Sequence, residues 1–577
     1  MSKLFKTDPF TMEIIKNAFH SIGDEMFVTT ARTSMSTIIY ETLDYASGLL
    51  DTEGNLLTQG NGITGFIGML TFMVKETLAK FPGDQLKEGD LIIINDPYQG
   101  GGSHLSDVGL VLPIFYAGKL VGFAANKAHW TEVGGKDPGS FTNDSTDIYQ
   151  EGLQFSCIKL FNEGVINEAV EDIIRSNVRF PEQSIGDMWA QIAGLRIGEK
   201  RLIELHDKYT DATVKEAVNH LLNHGESLAR LAIKDLPDGT YEAEEYIDSD
   251  GLGHGPFLVK VKVTIADEEV EFDFTGTAAQ VPGPINLTLS GLEAAVRAMF
   301  LSITVPDQDV NDGIFRPMNI VTEPKSIVSA ERPVPVSNYF ITLLEVVNVI
   351  QKALVESLPH RLIAGHYAAV ASIVLGGIHP ETGAPFMLVE PTTGGWGAAA
   401  NMDGQSGQFC YGNGETYNVP IEVAETRYGI LVEEYSLRTD ETAAGAGEFI
   451  GGRGTIRSYR ALNDEQSATV TFSHHLSKPW GVDDGFEGNS NDAHIRRADG
   501  SVYGPFGMEH HVLNKGDVVE LKTGTGGGYG NPLHRPAAQV AEDVKNGYYT
   551  VAVAAEAFGV RVDEETFAFE ELAVREG

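Results

Sequence analysis

The sequence predicts an α+β fold, a large multi-domain chain with mixed and antiparallel sheets. Two observations carry this prediction. Apolar residues recur at helical spacing near the N-terminus and again from about 185 to 234, which places a helical segment in the first half. Runs rich in β-branched residues surround these helices, and after Pro380 the chain becomes glycine-rich with short strand-like segments. The second half is therefore expected to be rich in strands.

The first elements alternate between helix and strand. Asp8 followed by Pro9 is typical of a helix start, because the side chain caps backbone N–H groups and proline suits the first helical position. The run 36–51 predicts a strand, and the run 66–80 predicts a helix. Three strands are then expected at 91–95, 108–116 and 120–128. The last two are separated by Ala117-Gly-Lys119, which predicts a hairpin.

The later elements are separated by clear breaks. The helical pattern ends at Leu236-Pro-Asp-Gly239, after which alternating apolar residues predict strands at 258–265 and 270–274. A buried helix is expected at 340–358, and a short helix at 536–546 begins the tail.

The length of 577 residues is enough for several domains of about 150 residues each. We expect three regions: a metal-binding α/β region with a helical segment at 1–235, a strand-rich region ending in a buried helix at 236–358, and a glycine-rich β region with a short C-terminal helix at 359–577.

The net charge excludes several classes of partner. The 42 basic and 81 acidic residues give −39, whereas a nucleic-acid binder or an anionic-membrane binder needs a basic face. Two cysteines cannot build a disulfide framework or a cysteine-based zinc module. No secretory leader or spanning stretch is visible, so a cytoplasmic location is expected.

One segment carries most of the chemistry, Asn95-Asp-Pro-Tyr-Gln-Gly-Gly-Gly-Ser-His-Leu-Ser-Asp107. Its glycines allow close backbone approach, and they lead to His104 and Asp107 at the start of a predicted strand. His129 lies at the end of the next strand. Asp107 and His129 are each eleven residues from Gly118 in the hairpin turn, so they are expected to face each other with Cβ atoms about 5 Å apart.

Two imidazoles and a carboxylate form a ligand set for Zn, Mn or Fe rather than for Ca or Mg. A further carboxylate is the natural fourth ligand, and Glu41 and Asp44 lie in the predicted strand 36–51. They are an odd number of residues apart and would face opposite sides of a regular strand, so only one is expected to reach the metal. Such a centre would activate water or polarise a carbonyl.

The chain resembles the hydantoinase B/oxoprolinase family, and also the related subunits of caprolactamase and of acetone and acetophenone carboxylases. The resemblance runs over nearly the whole chain. Its matching segments are residues 41–44, 95–107, 128–129, 147–152, 273–277, 283–286, 311–317 and 526–530.

The resemblance implies a mononuclear metal site with His104, Asp107, His129 and a carboxylate of segment 41–44 as ligands. Asp44 is preferred, and Glu41 is kept as the reserve and as a candidate catalytic group. The family usually has a second histidine where this chain has Trp130, and an aspartate where it has Glu132. The first departure indicates that His129 is the ligand, and the second leaves Glu132 as a candidate base.

The glycines at 524–530 do not resemble a phosphate loop, because the Gly-Lys-Ser/Thr ending is missing and no helix is predicted to start there. We interpret them as a sterically tight turn. The resemblance nevertheless implies ATP-dependent chemistry. ATP would therefore be bound by a partner, an ATPase subunit of actin/Hsp70-like fold (hydantoinase A type), in a heterotetramer.

These inferences predict the metal-bearing subunit of an ATP-dependent hydrolase of small neutral cyclic amides: lactams (caprolactam among them), hydantoins or 5-oxoproline-like rings. The partner would phosphorylate the amide, and one Zn or Mn (or Fe) here would position water for attack on the ring. The main alternative is a subunit of an ATP-dependent acetone- or acetophenone-type carboxylase, which would share the motif. No Ala-Met-Lys-Met sequence for biotin attachment is present. A third reading is a non-catalytic scaffold with a structural metal.

Overall fold

The computed structural model describes residues 7–60, 62–439 and 442–572. Residues 1–6, which the expectation of no leader includes, lie outside this part of the chain. The helices are α1 (Pro9–Thr33), α2 (Thr37–Tyr40), α3 (Met69–Lys80), α4 (Glu168–Asn177), α5 (Pro181–Lys208), α6 (Asp211–Ile233), α7 (Leu289–Ile303), α8 (Tyr339–Leu354), α9 (Ile421–Arg427), α10 (Ala537–Lys545) and α11 (Val551–Phe558).

Strands outnumber helices, as an α+β fold with a strand-rich second half requires. They are β1 (Tyr45–Leu50), β2 (Leu56–Gln59), β3 (Leu91–Ile94), β4 (Asp107–Tyr116), β5 (Lys119–His129), β6 (Ile158–Asn162), β7 (Val165–Ile166), β8 (Gly239–Ile247), β9 (Phe257–Ala266), β10 (Glu269–Asp273), β11 (Met318–Val321), β12 (Ser372–Ile378), β13 (Pro385–Glu390), β14 (Ile430–Leu437), β15 (Thr455–Ala461), β16 (Gln466–Thr471), β17 (Asp492–Arg496), β18 (Val502–Phe506), β19 (Met508–Leu513), β20 (Val518–Lys522), β21 (Val560–Val562) and β22 (Phe569–Glu571).

The chain folds into two compact units. The first runs up to Thr240 and adds Lys262–Leu343 and Gly412–Val419. The second takes Tyr241–Val261, Leu344–Tyr411 and the chain from Pro420 onward. Both units are therefore discontinuous in sequence. The division into three consecutive regions stays a prediction, although its first break, at 235, lies close to Thr240.

A seven-stranded sheet dominates the first unit, in the order β2-β1-β5-β4-β3-β6-β7, with every neighbouring pair antiparallel. The predicted hairpin is confirmed, because β4 pairs with β5 and Asp107 lies opposite His129. Helix α3 packs its buried Leu70, Met73 and Val74 into a core with apolar residues of the sheet.

Two glycines of α5 allow α1 to approach closely. A Cβ atom at Gly194 would lie 2.3 Å from the hydroxyl of Thr30, and one at Gly198 would lie 2.5 Å from the sulfur of Met26. Helix α1 itself begins as predicted, since the Asp8 side chain accepts a hydrogen bond from the Thr11 N–H and Pro9 follows. The two longest helices of the first unit are thereby held against each other.

One predicted strand is wrong at its start. Residues 36–51 do not form a single strand, since α2 occupies Thr37–Tyr40 and β1 begins only at Tyr45. Between them Leu43 adopts a positive φ of 60°, which interrupts any regular strand. The argument that Glu41 and Asp44 face opposite sides of a strand therefore fails, because Glu41 is the C-cap of a one-turn helix.

Other boundaries shift less. The helix predicted at 66–80 begins at Met69, after a short 3-10 turn at Thr64–Phe66. The helices predicted within 185–234 and at 340–358 correspond to α5 with α6 and to α8. Beyond the predicted tail helix, now α10, the structure adds α11 and a two-stranded sheet of β21 and β22. No helix in the described ranges combines the length and apolarity needed to cross a membrane.

Two sheets shape the second unit, with strand orders β13-β12-β16-β19 and β14-β15-β20-β17-β18. The glycines at 526–528 pass between other backbone segments. A Cβ atom on Gly526, Gly527 or Gly528 would lie 2.0–2.2 Å from the carbonyl oxygens of Trp396, Trp480 and Ala446 respectively. This close backbone packing is what a sterically tight segment requires.

A buried ion pair connects these two sheets. Glu390 of β13 accepts a hydrogen bond from Arg457 of β15 at 3.0 Å, and the Tyr459 hydroxyl donates to the same carboxylate. Both charged side chains are at most 1% exposed. Because the pair is shielded from solvent, the loss of one partner leaves an uncompensated charge in the interior.

We expect Glu390→Gln to lower the free energy of unfolding by about 3–5 kcal/mol, because the Arg457 guanidinium would keep its charge without a buried counter-ion. Urea denaturation followed by circular dichroism measures the change. Glu433→Gln is the matched control, since Glu433 pairs with the part-exposed Arg460 and with Arg496, whose side chain is 53% exposed. Its cost should stay below about 1 kcal/mol. Equal effects would contradict the role given to the buried pair.

Candidate metal centre

Two neighbouring strands and the loop before a third bring acidic and imidazole side chains together. Asp107 of β4 lies opposite His129 of β5, and on the other side the His129 N–H donates to the Asp44 carbonyl oxygen at 3.0 Å, next to the Tyr45–Ala128 pair. Residues directly opposite each other in an antiparallel sheet point to the same face. Asp107 and His129 therefore share one face at the end of the sheet, and Asp44 lies directly before the neighbouring strand β1.

His104 completes a triangle of ligand atoms. Its Nε2 lies 3.0 Å from Oδ1 of Asp107 and 3.0 Å from Nδ1 of His129, and these two atoms are also 3.0 Å apart. All three residues are buried, with at most 4% of their surface exposed. This is the group of described residues whose ligand atoms converge within 4.8 Å.

The glycine segment holds His104 in place. The Asn95 side chain donates to the Leu105 carbonyl at 2.7 Å, which ties the two ends of the segment together. A Cβ atom on Gly102 would lie 1.9 Å from the Cα atom of Pro97, so only glycine fits where the loop crosses itself. The Gly102 carbonyl accepts hydrogen bonds from the hydroxyls of Thr288 and Ser290 at 3.1 and 2.9 Å.

A backbone carbonyl fixes the tautomer of His104. Nδ1 lies 2.7 Å from the Ser337 carbonyl oxygen, which can only accept, so Nδ1 carries the proton. In the neutral ring, Nε2 then presents a lone pair to the centre of the triangle. Metal-binding histidines commonly hold their second nitrogen in this way.

The second oxygen of Asp107 has its own donors. The Ser103 hydroxyl donates to Oδ2, and the Tyr339 hydroxyl lies 3.4 Å from it. Aromatic rings enclose the imidazoles, since Phe141 lies edge-on to His104 at 5.3 Å and Tyr339 at 5.1 Å between ring centroids. These contacts leave Oδ1 as the oxygen that faces the two histidines.

The local charges shift the titration of the group. Burial alone would raise the pKa of Asp107, but the His104 and His129 imidazoles hold it well below its usual range. Burial would lower the pKa of His104, and the carboxylate of Asp107 raises it instead. Burial raises the pKa of Asp44 to about 6, against the opposing effect of His129.

The arrangement fits a divalent transition metal. Two imidazole nitrogens and a carboxylate oxygen all offer lone pairs to one point, and neighbouring acceptors of this kind repel one another unless a cation or a proton lies between them. Donor atoms about 2.1 Å from a common ion would themselves be about 3 Å apart or slightly more. The donor set suits Zn, Mn or Fe.

Asp44 and Glu41 are not part of this group of converging ligand atoms. Asp44 lies beside it and is close enough for its charge to act on both histidines, whereas Glu41 ends α2. The assignment of either as the fourth ligand stays a prediction.

Glu132 is fully buried and its carboxylate is occupied. Arg179 pairs with Oε2 at 2.8 Å, the Arg179 N–H donates to Oε1, and the Gly134 N–H donates to Oε2 at 3.0 Å. These bonds hold the segment that leads into α5. They give no support to the predicted role of Glu132 as a base, which stays a prediction.

Sequence reasoning missed several neighbours of the triangle. Tyr339, Phe141 and Ser337 come from segments that had no visible signal, because only the fold brings them to His104. For Lys127 the sequence did offer a signal, because this residue immediately precedes the matching segment 128–129. Its buried ammonium donates to the Gly101 carbonyl at 2.9 Å, and burial lowers its pKa to about 8.

Comparison with known sequences gives a consistent picture. The family model described as hydantoinase B/oxoprolinase matches residues 8–532. The chain is 34% identical to the B component of a putative D-/L-hydantoinase from Pseudomonas sp. (strain NS671), with 98% of each chain covered. It is 30% identical to the beta subunit of caprolactamase from Pseudomonas jessenii, with 96% of each covered.

Solved structures share the fold. The crystal structure of an ATP-dependent caprolactamase from Pseudomonas jessenii matches with a TM-score of 0.89 at 28% identity and covers 97% of both chains. A nucleotide-free acetone carboxylase matches with the same TM-score at 18% identity, covering all of this chain and 83% of the other. The second likeness shows the fold alone.

Proposed function

The chain belongs to the hydantoinase B/oxoprolinase family, and from this membership we propose that it is the metal-bearing subunit of an ATP-dependent enzyme that hydrolyses cyclic amides. The substrate class is a small neutral lactam, hydantoin or 5-oxoproline-like ring. The observation that carries the proposal is the triangle of His104, Asp107 and His129, whose ligand atoms lie 3.0 Å apart.

The relatives support a division of labour between two kinds of chain. The hydantoinase and caprolactamase relatives are each named as one component of a larger enzyme, which indicates that such chains work with a partner. We propose that the partner is an ATPase of actin/Hsp70-like fold in a cytoplasmic heterotetramer, and that it binds ATP. The charge of −39 agrees with this assignment, because an acidic chain does not attract an anionic nucleotide. No biotin is needed.

The protein's own residues would prepare the centre for one divalent ion, Zn or Mn, with Fe as a third choice. Such an ion would supply Lewis-acid polarisation of water or of the ring carbonyl. The Ser337 carbonyl keeps the proton of His104 on Nδ1, so Nε2 stays available as a ligand. Ser103 and Tyr339 hold the outer oxygen of Asp107. The Phe141 ring packs against both imidazoles and the Tyr339 ring against His104, which would shield these rings from water.

The proposed reaction has two hydrolytic steps after activation by the partner. The partner transfers the γ-phosphoryl group of ATP to the amide oxygen, which leaves ADP and a ring with a C=N bond. One water adds to the ring carbon and the C–N bond breaks, giving an amine and an acyl phosphate. A second water releases phosphate and the carboxylate. Unless Asp44 is itself the fourth ligand, we propose that it accepts the proton of the first water, because it lies beside the triangle.

A second candidate is an ATP-dependent ketone carboxylase of the acetone or acetophenone type. This candidate comes from the sequence motif, which resembles that of the carboxylase subunits, and the fold shared with acetone carboxylase is compatible with it. The fold and the ligand triangle would serve either reaction, so the substrate has to be tested directly.

We expect His104→Ala and Asp107→Ala to remove the metal and to reduce ring opening by more than about 100-fold, since even outer partners of metal ligands cost 10–100-fold. Elemental analysis and an amide-hydrolysis assay with the partner subunit measure both effects. Nucleotide binding by the partner should not change. The control is His254→Ala, because His254 forms a similar pair with Asp250 at 2.8 Å but is exposed. Full metal content in both site variants would rule out these ligands.

The variant Asp44→Asn distinguishes two roles of Asp44, as the base that accepts the proton or as the fourth metal ligand. If Asp44 accepts the proton, the variant keeps one metal per chain and loses about 10²–10⁴-fold in turnover. Metal content by elemental analysis and kcat of the assembled enzyme are the two measurements. Loss of the metal together with turnover would instead make Asp44 the fourth ligand. Asp51→Asn, at the other end of β1, serves as the control and should leave both unchanged.

Co-expression with the ATPase subunit tests the reaction itself. Purified enzyme is given ATP with caprolactam, hydantoin or 5-oxoproline, with and without bicarbonate, and products are followed by mass spectrometry. We expect ring opening that yields ADP and phosphate and does not depend on bicarbonate. Turnover of acetone or acetophenone that requires bicarbonate would replace the hydrolase proposal with the carboxylase.

A further inference from the structure

A buried carboxylate lies behind the triangle, in a segment that the proposed function leaves without a role. Glu151 is 1% exposed and follows a short 3-10 turn at Ile148–Gln150. Its Oε1 accepts hydrogen bonds from the Ser337 N–H at 2.9 Å, the Val336 N–H at 3.0 Å and the Ser145 hydroxyl at 2.8 Å. One carboxylate oxygen thus collects two successive peptide N–H groups.

The same peptide segment holds His104. The carbonyl oxygen of Ser337 is the acceptor for Nδ1 of His104 at 2.7 Å. The Ser337 side chain is fixed as well, since its hydroxyl oxygen accepts from the Thr142 N–H at 3.1 Å. Glu151 therefore restrains the N–H side of a residue whose C=O side orients the imidazole.

We propose that Glu151 is a positioning residue of the metal centre, which acts through the backbone of Ser337 on the orientation and tautomer of His104. The inference rests on the proposed metal site. Two hydrogen bonds connect the residues: the Ser337 N–H donates to the Glu151 carboxylate, and Nδ1 of His104 donates to the Ser337 carbonyl oxygen.

A single carbonyl oxygen restrains the orientation of the His104 imidazole only weakly if the peptide that carries it can move. A carbonyl oxygen accepts over a broad range of directions, so it directs the imidazole only if its own peptide plane is fixed. The residues 336–337 precede α8 and lie outside any strand ladder. Without Glu151, the N–H groups of Val336 and Ser337 would lose their buried acceptor, and this peptide would shift to find another.

A comparable buried carboxylate in the first unit has no link to the centre. Asp90 is fully buried and accepts from the backbone N–H groups of Lys87 and Glu163 at 2.8 and 2.9 Å. It also pairs with Lys159 at 2.7 Å. Its removal should disturb the first unit to a similar degree, so Asp90→Ala is a matched control for general destabilisation.

The test uses Co²⁺ as the probe in the full-length chain assembled with its partner subunit. Affinity is measured by competition with a chelator, and the visible absorption of bound Co²⁺ reports the ligand geometry. Glu151→Ala should weaken Co²⁺ binding by about 10–100-fold and alter the absorption bands. Glu151→Gln keeps an acceptor oxygen for the same N–H groups, so it should remain within about threefold of wild type with an unchanged spectrum.

Two further variants control for general destabilisation and for failure to fold. Asp90→Ala should bind Co²⁺ as wild type does. If Glu151→Ala does not fold, Glu151→Asp takes its place, since its shorter side chain cannot reach both N–H groups, and the same weakening and altered spectrum are expected. Wild-type affinity and spectrum in Glu151→Ala or in Glu151→Asp, or equal losses in the Ala and Gln variants, would overturn the positioning role. Co²⁺ binding that survives His104→Ala would overturn the metal site itself. This outcome differs from the one that would overturn only the positioning role of Glu151.

Discussion

The antiparallel pairing of β4, β5 and β1 is the constraint on which the site depends. It brings Asp107 of β4 and Asp44, directly before β1, to either side of His129 of β5, although they are 22 and 85 residues from it in sequence. A shift of the register by one residue would turn His129 to the other face of the sheet. The hydrophobic core beneath β4 and β5 therefore fixes the site, because any such shift would also turn Val111 and Phe123 away from the core that they form with α3.

The hairpin could be predicted from the sequence, because a two-strand pairing around a glycine turn is set by local spacing. Asp107 and His129 lie at equal distances from Gly118, and the structure has this register despite an irregularity near Ile114. The neighbouring strand could not be placed in the same way. Residues 37–40 form a helical turn and Leu43 reverses its φ, so the segment that looked like one strand supplies Asp44 from a loop.

Contacts between segments that are distant along the chain could not be predicted from the sequence either. Ser337 and Tyr339 contact His104, and Glu151 contacts the Ser337 N–H, only because the fold brings together segments that are far apart in sequence. The motif around residues 147–152 was visible as part of the family resemblance, but nothing in its composition indicated that Glu151 would bind backbone groups. The role of Glu132 stays a prediction: its position near His129 favoured a chemical role, whereas the contacts that the structure gives its carboxylate are with Arg179 and Gly134.

The hydrogen bonds that hold His104 and Asp107 in place are needed because the lone pairs of the three ligand atoms repel one another. Three lone pairs that meet within 3.0 Å in the protein interior repel one another strongly in a medium of low dielectric. The fold holds two of the three side chains by their outer atoms: Nδ1 of His104 is bound to Ser337, and Oδ2 of Asp107 to Ser103 and Tyr339. The positive charge that relieves this repulsion can be a proton on His104, because the Asp107 carboxylate raises the pKa of that imidazole against the effect of burial. A divalent ion would relieve it more completely, because all three donors could then point at the same charge.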